Sequence, residues 1–289
     1  MASRLDQLLV ERGLFPSREQ ARRAVMAGLI RVDGHLMDKP GTAVGAAAAL
    51  EVAEREPFVS RAGRKLAAAL DHFGLDPAGW VCLDVGASTG GFTHCLLERG
   101  ARRVYALDVG HGQLDPRLRH DPRVVVMERV NARHLAAGAL PEPCDLVTVD
   151  VSFISLLKVV PALLPHLRRP AAAGPAASGA GGYLLVLIKP QFEAGRGAVG
   201  KGGILRDEAL RRRVIDECAG RLSEIGEIGE IGAIDAIGAT GEAGEIGEVH
   251  DHRAAPAAAL ELAGACFDSP VAGSGGNREA FALLRRRAA

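Results

Sequence analysis

A glycine-rich turn between an apolar strand and a helix limits the possible folds of this chain more than any other stretch. The turn covers residues 84–92 (DVGASTGGF) and follows the apolar run Trp80–Leu83. Gly86 and Gly90 let the backbone turn tightly, and the following helix presents free N–H groups there. The next predicted strand ends in an acid, Asp108. This combination predicts a nucleoside-cofactor site, while the glycines alone are equally typical of a purely structural turn.

Beyond residue 63, apolar β-rich runs alternate with helical patterns. The predicted strands are Val81–Val85, Arg103–Asp108, Arg123–Glu128, Asp145–Asp150 and Tyr183–Lys189. This alternation predicts an α/β fold with a mostly parallel, doubly wound, Rossmann-like sheet. Ligands of such sheets bind beyond the carboxyl ends of the strands. Asp84, Asp108, Asp150 and Lys189 all fall at such ends, so we expect one site there.

The composition is that of a soluble globular protein. The chain has 289 residues, of which 48% are hydrophobic and 24% charged, enough for one sizeable domain and one small one. No apolar run approaches the roughly 18 residues of a membrane helix, and no secretion signal is visible, so we expect a cytoplasmic protein. The five cysteines form no C-x-x-C pair and are expected to be reduced. The histidine spacing predicts no metal site.

The formal net charge of zero hides an asymmetry. Residues 222–252 contain eight acidic groups and no Lys or Arg, which leaves 35 basic against 27 acidic residues elsewhere. The acidic groups belong to an imperfect Glu-Ile-Gly repeat, interpreted as a low-complexity insertion at about 224–258. A basic body is compatible with a nucleic-acid partner, and scattered solvated charge is the alternative.

The N-terminal region predicts a small helical domain with a hairpin. Residues 4–12 form one expected helix, and Ser17 with Gln20 makes a capping box for a second helix that ends at Gly28. Leu29–Val32 and the following Asp-Gly turn predict a hairpin. Residues 51–60 are polar, contain a proline, and are interpreted as a linker.

The motifs RLDQLLVERG (4–13), SREQARR (17–23) and GLIRVDG (28–34) resemble the S4 RNA-binding domain. The resemblance covers residues 3–60 and implies a structured RNA as partner, bound mainly through its phosphates. The residues expected to bind RNA are Arg4, Arg18, Arg22 and Arg23. We therefore expect a small α+β S4 domain with its linker at 1–60 and the α/β domain at 61–289.

Four motifs of the second domain carry a Lys–Asp–Lys–Glu set. These are Lys65 in FVSRAGRKL, Asp150 in DLVTVDVSFI, Lys189 in LVLIKPQFE and Glu279 in GNREAF. The set resembles that of the FtsJ-like ribose 2′-O-methyltransferases, which use S-adenosylmethionine. With the S4 domain in front, the chain resembles the TlyA family over residues 4–223 and 267–284. That resemblance implies 2′-O-methylation of cytidine in ribosomal RNA or ribosomal subunits, and the family also carries the name haemolysin.

The chemistry of a ribose hydroxyl fits this set. The hydroxyl must lose its proton as it attacks the methyl group, and a neighbouring ammonium lowers the pKa of a lysine so that it accepts the proton. The resulting hypothesis puts Lys189 nearest the 2′-oxygen, with Asp150 and Glu279 positioning it. Lys65 then tunes Lys189 or holds the RNA.

The cofactor residues are expected around the glycine-rich turn. An acid two residues before the first glycine is similar to the S-adenosylmethionine version of this motif. The expected set is Asp84, Gly86, Ser88, Gly90, Phe92, Asp108 and Asn131. We expect Gly86 and Gly90 at the methionine end, Asp108 at the ribose hydroxyls and Asn131 near the adenine, with a capping role for Asn131 as the alternative.

Three other functions compete with methyl transfer. A pore-forming haemolysin needs membrane-spanning segments that the sequence does not show. A non-catalytic RNA-binding protein is disfavoured by the intact Lys–Asp–Lys–Glu set, and a test of cofactor binding separates it from an enzyme. An NAD-dependent oxidoreductase is disfavoured because the glycine spacing is not G-x-G-x-x-G.

Overall fold

The computed structural model describes residues 2–53, 56–170, 182–195, 199–200, 203–226 and 259–287. The chain divides into two compact units, Met1–Pro57 and Phe58–Ala289. Most of the predicted Glu-Ile-Gly insertion, residues 227–258, lies outside the described residues.

The first unit contains two short helices and five short strands. In chain order these are β1 (Ala2–Arg4), α1 (Leu5–Glu11), α2 (Arg18–Met26), β2 (Ile30–Val32), β3 (His35–Met37), β4 (Ala43–Gly45) and β5 (Leu50–Val52). The predicted start of α2 is confirmed, since Ser17 Oγ accepts a hydrogen bond from the backbone N–H of Gln20. The hairpin is also confirmed, with Asp33 and Gly34 at φ +50° and +80° in the turn.

One expectation for this unit is wrong. The predicted linker begins at residue 51, but Leu50–Val52 forms β5 and pairs with β2 in an antiparallel ladder. A strand of three residues gives too short an apolar alternation to stand out from a polar stretch. Its pairing with β2 therefore assigns these residues to the first unit.

The second unit is built on an eight-stranded sheet with the order β11-β13-β10-β9-β6-β7-β8, and β12 pairs with β13. Its strands are β6 (Val81–Val85), β7 (Arg103–Asp108), β8 (Val124–Glu128), β9 (Leu146–Val149), β10 (Tyr183–Ile188), β11 (Leu260–Leu262), β12 (Phe267–Asp268) and β13 (Ala280–Arg286). Its helices are α3 (Ala62–Phe73), α4 (Gly91–Glu98), α5 (Pro116–Arg119), α6 (Leu156–Leu163), α7 (Pro190–Glu193) and α8 (Glu208–Ser223). Strands β6 to β10 are parallel, while β11, β12 and β13 pair antiparallel.

Helices cover both faces of this sheet, as predicted. Along β10, Leu184 and Val186 pack into one hydrophobic core with α6 and α8, while Leu185 and Leu187 pack into a second core with α3 and α4. Because successive residues of a strand point to opposite faces, a strand buried on both sides is apolar throughout. The mostly parallel, doubly wound fold is therefore confirmed.

Two strands end one residue earlier in the structure than the sequence predicts. Strand β9 ends at Val149 and β10 at Ile188. Asp150 and Lys189 therefore lie just beyond the carboxyl ends of neighbouring parallel strands, where the backbone has left the ladder. The cysteines are free thiols in the structure, and four of them are buried.

Candidate active site

The glycine-rich turn follows β6 and lies against the residues that follow β9. Gly86 and Gly90 have φ values of +85° and +95°, in the region that favours glycine. A Cβ at Gly86 would collide with the carbonyl oxygen of Asp150, and one at Gly90 with the side chain of Leu118. Both glycines are thus needed for close packing inside the protein, which brings the turn beside Asp150.

A first cavity of about 560 Å³ opens beside this turn. Its polar lining includes Gly86, Ser88, Asp108 and Asn131, all predicted cofactor residues. Its apolar lining comes from Val85, Leu107, Val109, Val130, Val151, Phe153, Ile154 and Val159. An apolar cavity of this size with a few polar groups is typical of a small-molecule site.

Asp108 ties two turns together at the edge of the first cavity. Its Oδ2 accepts a hydrogen bond of 2.8 Å from the N–H of Ser88, and its Oδ1 accepts one of 2.7 Å from the N–H of Gly110. Ser88 has a φ of +49°, so the serine itself occupies a left-handed position in the turn. The carboxylate keeps lone pairs for a hydroxyl-bearing ligand.

Asn131 has the capping role that the sequence left open, and it also lies at the first cavity. Its Oδ1 accepts a hydrogen bond of 3.0 Å from the N–H of Arg133 and caps a short 3-10 helix. The same residue also lines the first cavity.

Asp84 and Gly90 do not line either of the two cavities described here. Asp84 is fully buried beneath the turn, where it accepts hydrogen bonds from Thr93 Oγ1 at 2.7 Å and Thr148 Oγ1 at 3.2 Å. Burial raises the pKa of this carboxyl group to about 7, although the threonine hydrogen bonds oppose the shift. The structure places Asp84 as a support for the turn.

A second, polar cavity of about 310 Å³ adjoins the first. It contains the complete predicted set of Lys65, Asp150, Lys189 and Glu279, together with Phe92. The two cavities share Gly86, Ser88, Asp150 and Ser152 in their linings. A ligand group that reaches past the glycine-rich turn from the first cavity therefore arrives among the lysines and carboxylates.

The set forms two separate ion pairs. Lys65 Nζ lies 2.6 Å from Glu279 Oε2, and both side chains are more than nine-tenths buried. Lys189 Nζ lies 2.7 Å from Asp150 Oδ1 and donates a hydrogen bond of 2.9 Å to Ser152 Oγ. The expectation that Glu279 positions Lys189 is corrected, because its carboxylate binds Lys65.

Sheet topology explains how residues far apart in the sequence meet. Strand β9 runs parallel to β10 with Val149 beside Val186, so Asp150 and Lys189 leave the sheet at the same end. Strand β13 runs antiparallel to β10 with Ala280 beside Ile188, so Glu279 enters at that end too. Lys65 comes from α3, which packs on the face of the sheet that also carries α4.

Both units of the chain match known protein families. Residues 58–227 match the FtsJ-like methyltransferase model, and residues 3–48 match the S4 domain. The chain is 48% identical over 226 residues to the 16S/23S rRNA (cytidine-2′-O)-methyltransferase TlyA of Mycobacterium tuberculosis, covering 78% of this chain and 80% of the relative. The chain belongs to the TlyA family of FtsJ-like methyltransferases. The predicted family, enzyme class and S-adenosylmethionine cofactor are thereby confirmed.

Other TlyA-like proteins carry a different name. Hemolysin A of Brachyspira hyodysenteriae is 40% identical, covering 77% of this chain and 89% of the relative. A solved structure of a hemolysin candidate from Streptococcus thermophilus matches with a TM-score of 0.65 and 33% identity, covering 99% of this chain and 88% of that one. Within the part of this TlyA-family chain that the structure describes, no helix is both long and apolar enough to span a bilayer.

Three residues that line the cavities were not predicted from the sequence. Gln113 lines the first cavity, Ser152 lines both, and Phe153 lines the first cavity with 90% of its surface exposed and a φ of +65°. Ser152 and Phe153 directly follow Asp150, and that adjacency was the available signal. Gln113 carries no local signal because its place depends on the turn that follows β7.

The four arginines predicted to bind RNA are exposed on the first unit. Arg4 and Arg18 both bind the carboxylate of Asp6, and Arg23 pairs with Glu19 across one helical turn. Among the described residues, no cluster of His, Cys, Asp and Glu has the arrangement of a metal site.

Proposed function

We propose that this chain transfers a methyl group from S-adenosylmethionine to the ribose 2′-hydroxyl of a cytidine in ribosomal RNA. The observation that carries the proposal is the pair of adjoining cavities, one apolar and of nucleoside size, the other lined by two lysine–carboxylate pairs. The name of the relative from Mycobacterium tuberculosis supports the same nucleotide and the same hydroxyl.

The first cavity fits the cofactor. Its apolar walls suit an adenine ring, and the Asp108 carboxylate at its edge is an acceptor suited to ribose hydroxyls. Gly86 and Ser88 lie where the two cavities meet, so they would hold the methionine end. When bound, the cofactor supplies an electrophilic methyl group. Asp84 shapes the turn from below, since its two threonine bonds fix the end of β6 to α4 and β9.

The second cavity holds the hydroxyl that receives the methyl group. Lys189 is held from two sides, by Asp150 Oδ1 and Ser152 Oγ, at the boundary between the cavities. In our proposal Lys189 contacts the 2′-oxygen, and the hydroxyl proton passes to the Lys189–Asp150 pair as the oxygen–carbon bond forms. Much of the rate then comes from holding the hydroxyl in line with the methyl group.

The Lys65–Glu279 pair has a different task in this proposal. Its buried position fixes α3 to the start of β13 and sets one wall of the second cavity. The ammonium and the carboxylate neutralise each other and both are buried, so the pair offers little net positive charge to the RNA phosphates. Lys65 is therefore assigned to shaping the cavity.

The nucleic-acid partner is ribosomal RNA within a ribosomal subunit, which places the protein in the cytoplasm. The exposed Arg4, Arg18, Arg22 and Arg23 of the S4 domain bind phosphates. Phe153 presents an aromatic face beside the first cavity, and such faces stack on unpaired bases of RNA.

Methyl transfer to isolated subunits tests the proposed function. Small and large ribosomal subunits from a strain without this modification are incubated with labelled S-adenosylmethionine and the full chain. The expected product is 2′-O-methylcytidine, identified by nucleoside analysis and by resistance of one phosphodiester bond to alkaline cleavage. Label on a base, on another nucleoside, or on neither subunit despite measured cofactor binding would overturn the proposal.

A further inference from the structure

A wholly buried carboxylate lies under the arginine surface of the first unit. Asp6, in the first turn of α1, has no solvent-exposed surface. Arg4 donates two hydrogen bonds of 3.1 Å to it, from Nε to Oδ1 and from Nη2 to Oδ2. Arg18, at the start of α2, adds a third bond of 3.3 Å from Nη2 to Oδ2. The two arginines therefore converge on a single acid, Arg4 from the end of β1 and Arg18 from the start of α2.

The arginines themselves remain half in solvent. Their side chains are 50% and 53% exposed, while that of Asp6 is 0% exposed. Hydrogen bonding by Arg4 lowers the pKa of the Asp6 carboxyl group, although burial opposes the shift, so the acid is ionised at neutral pH. A buried charge costs stability unless it is well paired, and an apolar residue is often the more stable choice among neighbours such as Leu5 and Leu9. Stability alone is therefore a weak reason for an acid here.

The hydrogen bonds to Asp6 use only some of the N–H donors of the two arginines and fix the direction of the others. Arg4 donates to Asp6 through Nε and Nη2, so the N–H donors of its Nη1 are not used on this carboxylate. Arg18 donates to Asp6 through Nη2, so the N–H donors of its Nε and Nη1 are not used on it either. Gly41 closes the other side, because a Cβ at that position would lie only 3.0 Å from Arg4 Nη1. Arg4 is thus held between a carboxylate and a bare backbone, with little rotamer freedom left.

We propose that Asp6 is a positioning residue for RNA binding, which presets the guanidinium groups of Arg4 and Arg18 as one rigid phosphate-binding pair. This inference rests on the proposed binding of ribosomal RNA by the first unit. Presetting two long side chains removes the entropy that they would otherwise lose on binding. A bidentate guanidinium also keeps its orientation, which a phosphate contact requires.

For Asp6→Asn, the expected change in RNA affinity is opposite in sign to the change expected from charge alone. If the arginines act only as charges, removing a nearby negative charge strengthens binding to a polyanion. If Asp6 presets them, Asp6→Asn weakens binding although the surface becomes more positive. Glu19 offers a matched control, because it is also an acid bonded to an arginine, but its side chain is 79% exposed and that of Arg23 is 67% exposed.

The experiment measures equilibrium binding of the full chain to ribosomal subunits over a range of KCl concentrations. We expect Asp6→Asn to raise Kd on the order of tenfold, and Glu19→Gln to leave Kd unchanged or lower it. In methyl transfer, Asp6→Asn should raise KM and leave kcat and the affinity for S-adenosylmethionine unchanged. A Kd for Asp6→Asn at or below the wild-type value would overturn the inference.

Arginine variants separate this inference from the function on which it rests. Arg4→Ala with Arg18→Ala should weaken binding and reduce the salt slope by about 2, and Asp6→Asn added to that double variant should weaken it no further. If the double variant binds like the wild type, the proposed RNA surface fails. If it binds weakly and Asp6→Asn alone does not, only the role of Asp6 fails. Hydrogen-exchange protection of residues 5–11 checks that Asp6→Asn folds. If the fraction of Asp6→Asn that has lost this protection accounts for the whole loss of binding, the inference is also overturned.

Discussion

The two units of this protein use the same kind of ion pair for opposite purposes. In the first unit the acid is buried and its arginines face solvent, with side chains 0% and about half exposed respectively. In the second unit both members of the Lys65–Glu279 pair are buried, and Lys189 with Asp150 is only slightly more open. Burying the acid alone leaves the arginine charges exposed to solvent, where we propose that RNA binds. Burying both members keeps the paired charges within the lining of the second cavity.

The choice of cation follows the same division. The chain has 35 basic residues, of which only five are lysine, yet two of those five lie in the second cavity. A lysine is a compact ammonium that can give up a proton, whereas arginine stays charged and presents a planar fork of donors. In our proposal, arginines on the surface of the first unit make fixed phosphate contacts, and Lys189 in the second cavity takes part in proton transfer.

Breaking the buried pair of the second unit should have the largest effect on stability. Glu279→Gln leaves the Lys65 ammonium without its counter-charge, which typically costs about 3–5 kcal/mol. Urea unfolding followed by the fluorescence of Trp80, the one tryptophan, reports on this unit. Glu279→Gln combined with Lys65→Met should recover much of the stability but not the activity. An unchanged urea midpoint for Glu279→Gln would show that the pair contributes little.

Asp84 should give the second unit a pH-dependent stability. Its pKa is about 7 in the folded protein against an ordinary value of 3.8, so between those values the folded state holds a proton that the unfolded state has lost. Stability from this group is therefore greatest below about pH 4 and falls as the pH rises to 7, by at most about 4 kcal/mol. Asp84→Asn should flatten this slope in Trp80-monitored unfolding. Identical slopes in the two proteins would contradict the buried, protonated state.

Replacement of arginine by lysine on the first unit should distinguish Arg18, which is hydrogen-bonded to Asp6, from Arg22. Arg18→Lys keeps the charge but loses the planar guanidinium whose Nη2 donates the 3.3 Å hydrogen bond to Asp6 Oδ2. We expect it to weaken binding to ribosomal subunits by about threefold to fivefold, while Arg22→Lys stays close to wild type. Equal effects of the two changes would mean that both arginines act simply as charges.

The smallest effect is expected for the exposed pair of Arg23 and Glu19. Arg23→Gln should change the stability of the first unit by less than about 0.5 kcal/mol, because exposed pairs across one helical turn contribute little. Thermal unfolding followed by circular dichroism measures it. A loss of more than about 1 kcal/mol would show that this exposed pair contributes more than exposed ion pairs usually do.

The sequence predicted which polar residues lie at the ends of the strands but not how they pair. Apolar runs that end in Asp108, Asp150 and Lys189 marked the strand ends, since the polarity change coincides with the exit from a buried sheet. The partner of Lys65 depends on β13, which inserts antiparallel beside β10 more than two hundred residues along the chain. No local pattern contains that register, so Glu279 was assigned to Lys189.

The glycine-rich turn shows a second limit of sequence patterns. The sequence predicted that Gly86 and Gly90 approach a ligand. Gly86 lines both cavities, and a Cβ there would also meet the carbonyl oxygen of Asp150; Gly90 lines neither cavity, and a Cβ there would meet the side chain of Leu118. Both causes give a glycine, and only the three-dimensional packing distinguishes them. The same holds for Asp84, whose carboxyl group points to Thr93 and Thr148 instead of a cavity.

The most direct test is single-turnover methyl transfer to ribosomal subunits by wild type and Lys189→Ala, with the Kd for S-adenosylmethionine measured on the same preparations. Lys189 lies with Asp150 in the second cavity, so its loss should slow transfer to 2′-O-methylcytidine by about 100-fold to 10,000-fold. The Kd for the cofactor should stay within about twofold of wild type, since Lys189 does not line the first cavity. Transfer by Lys189→Ala within about tenfold of the wild-type rate would contradict the assignment of Lys189 to the reacting hydroxyl.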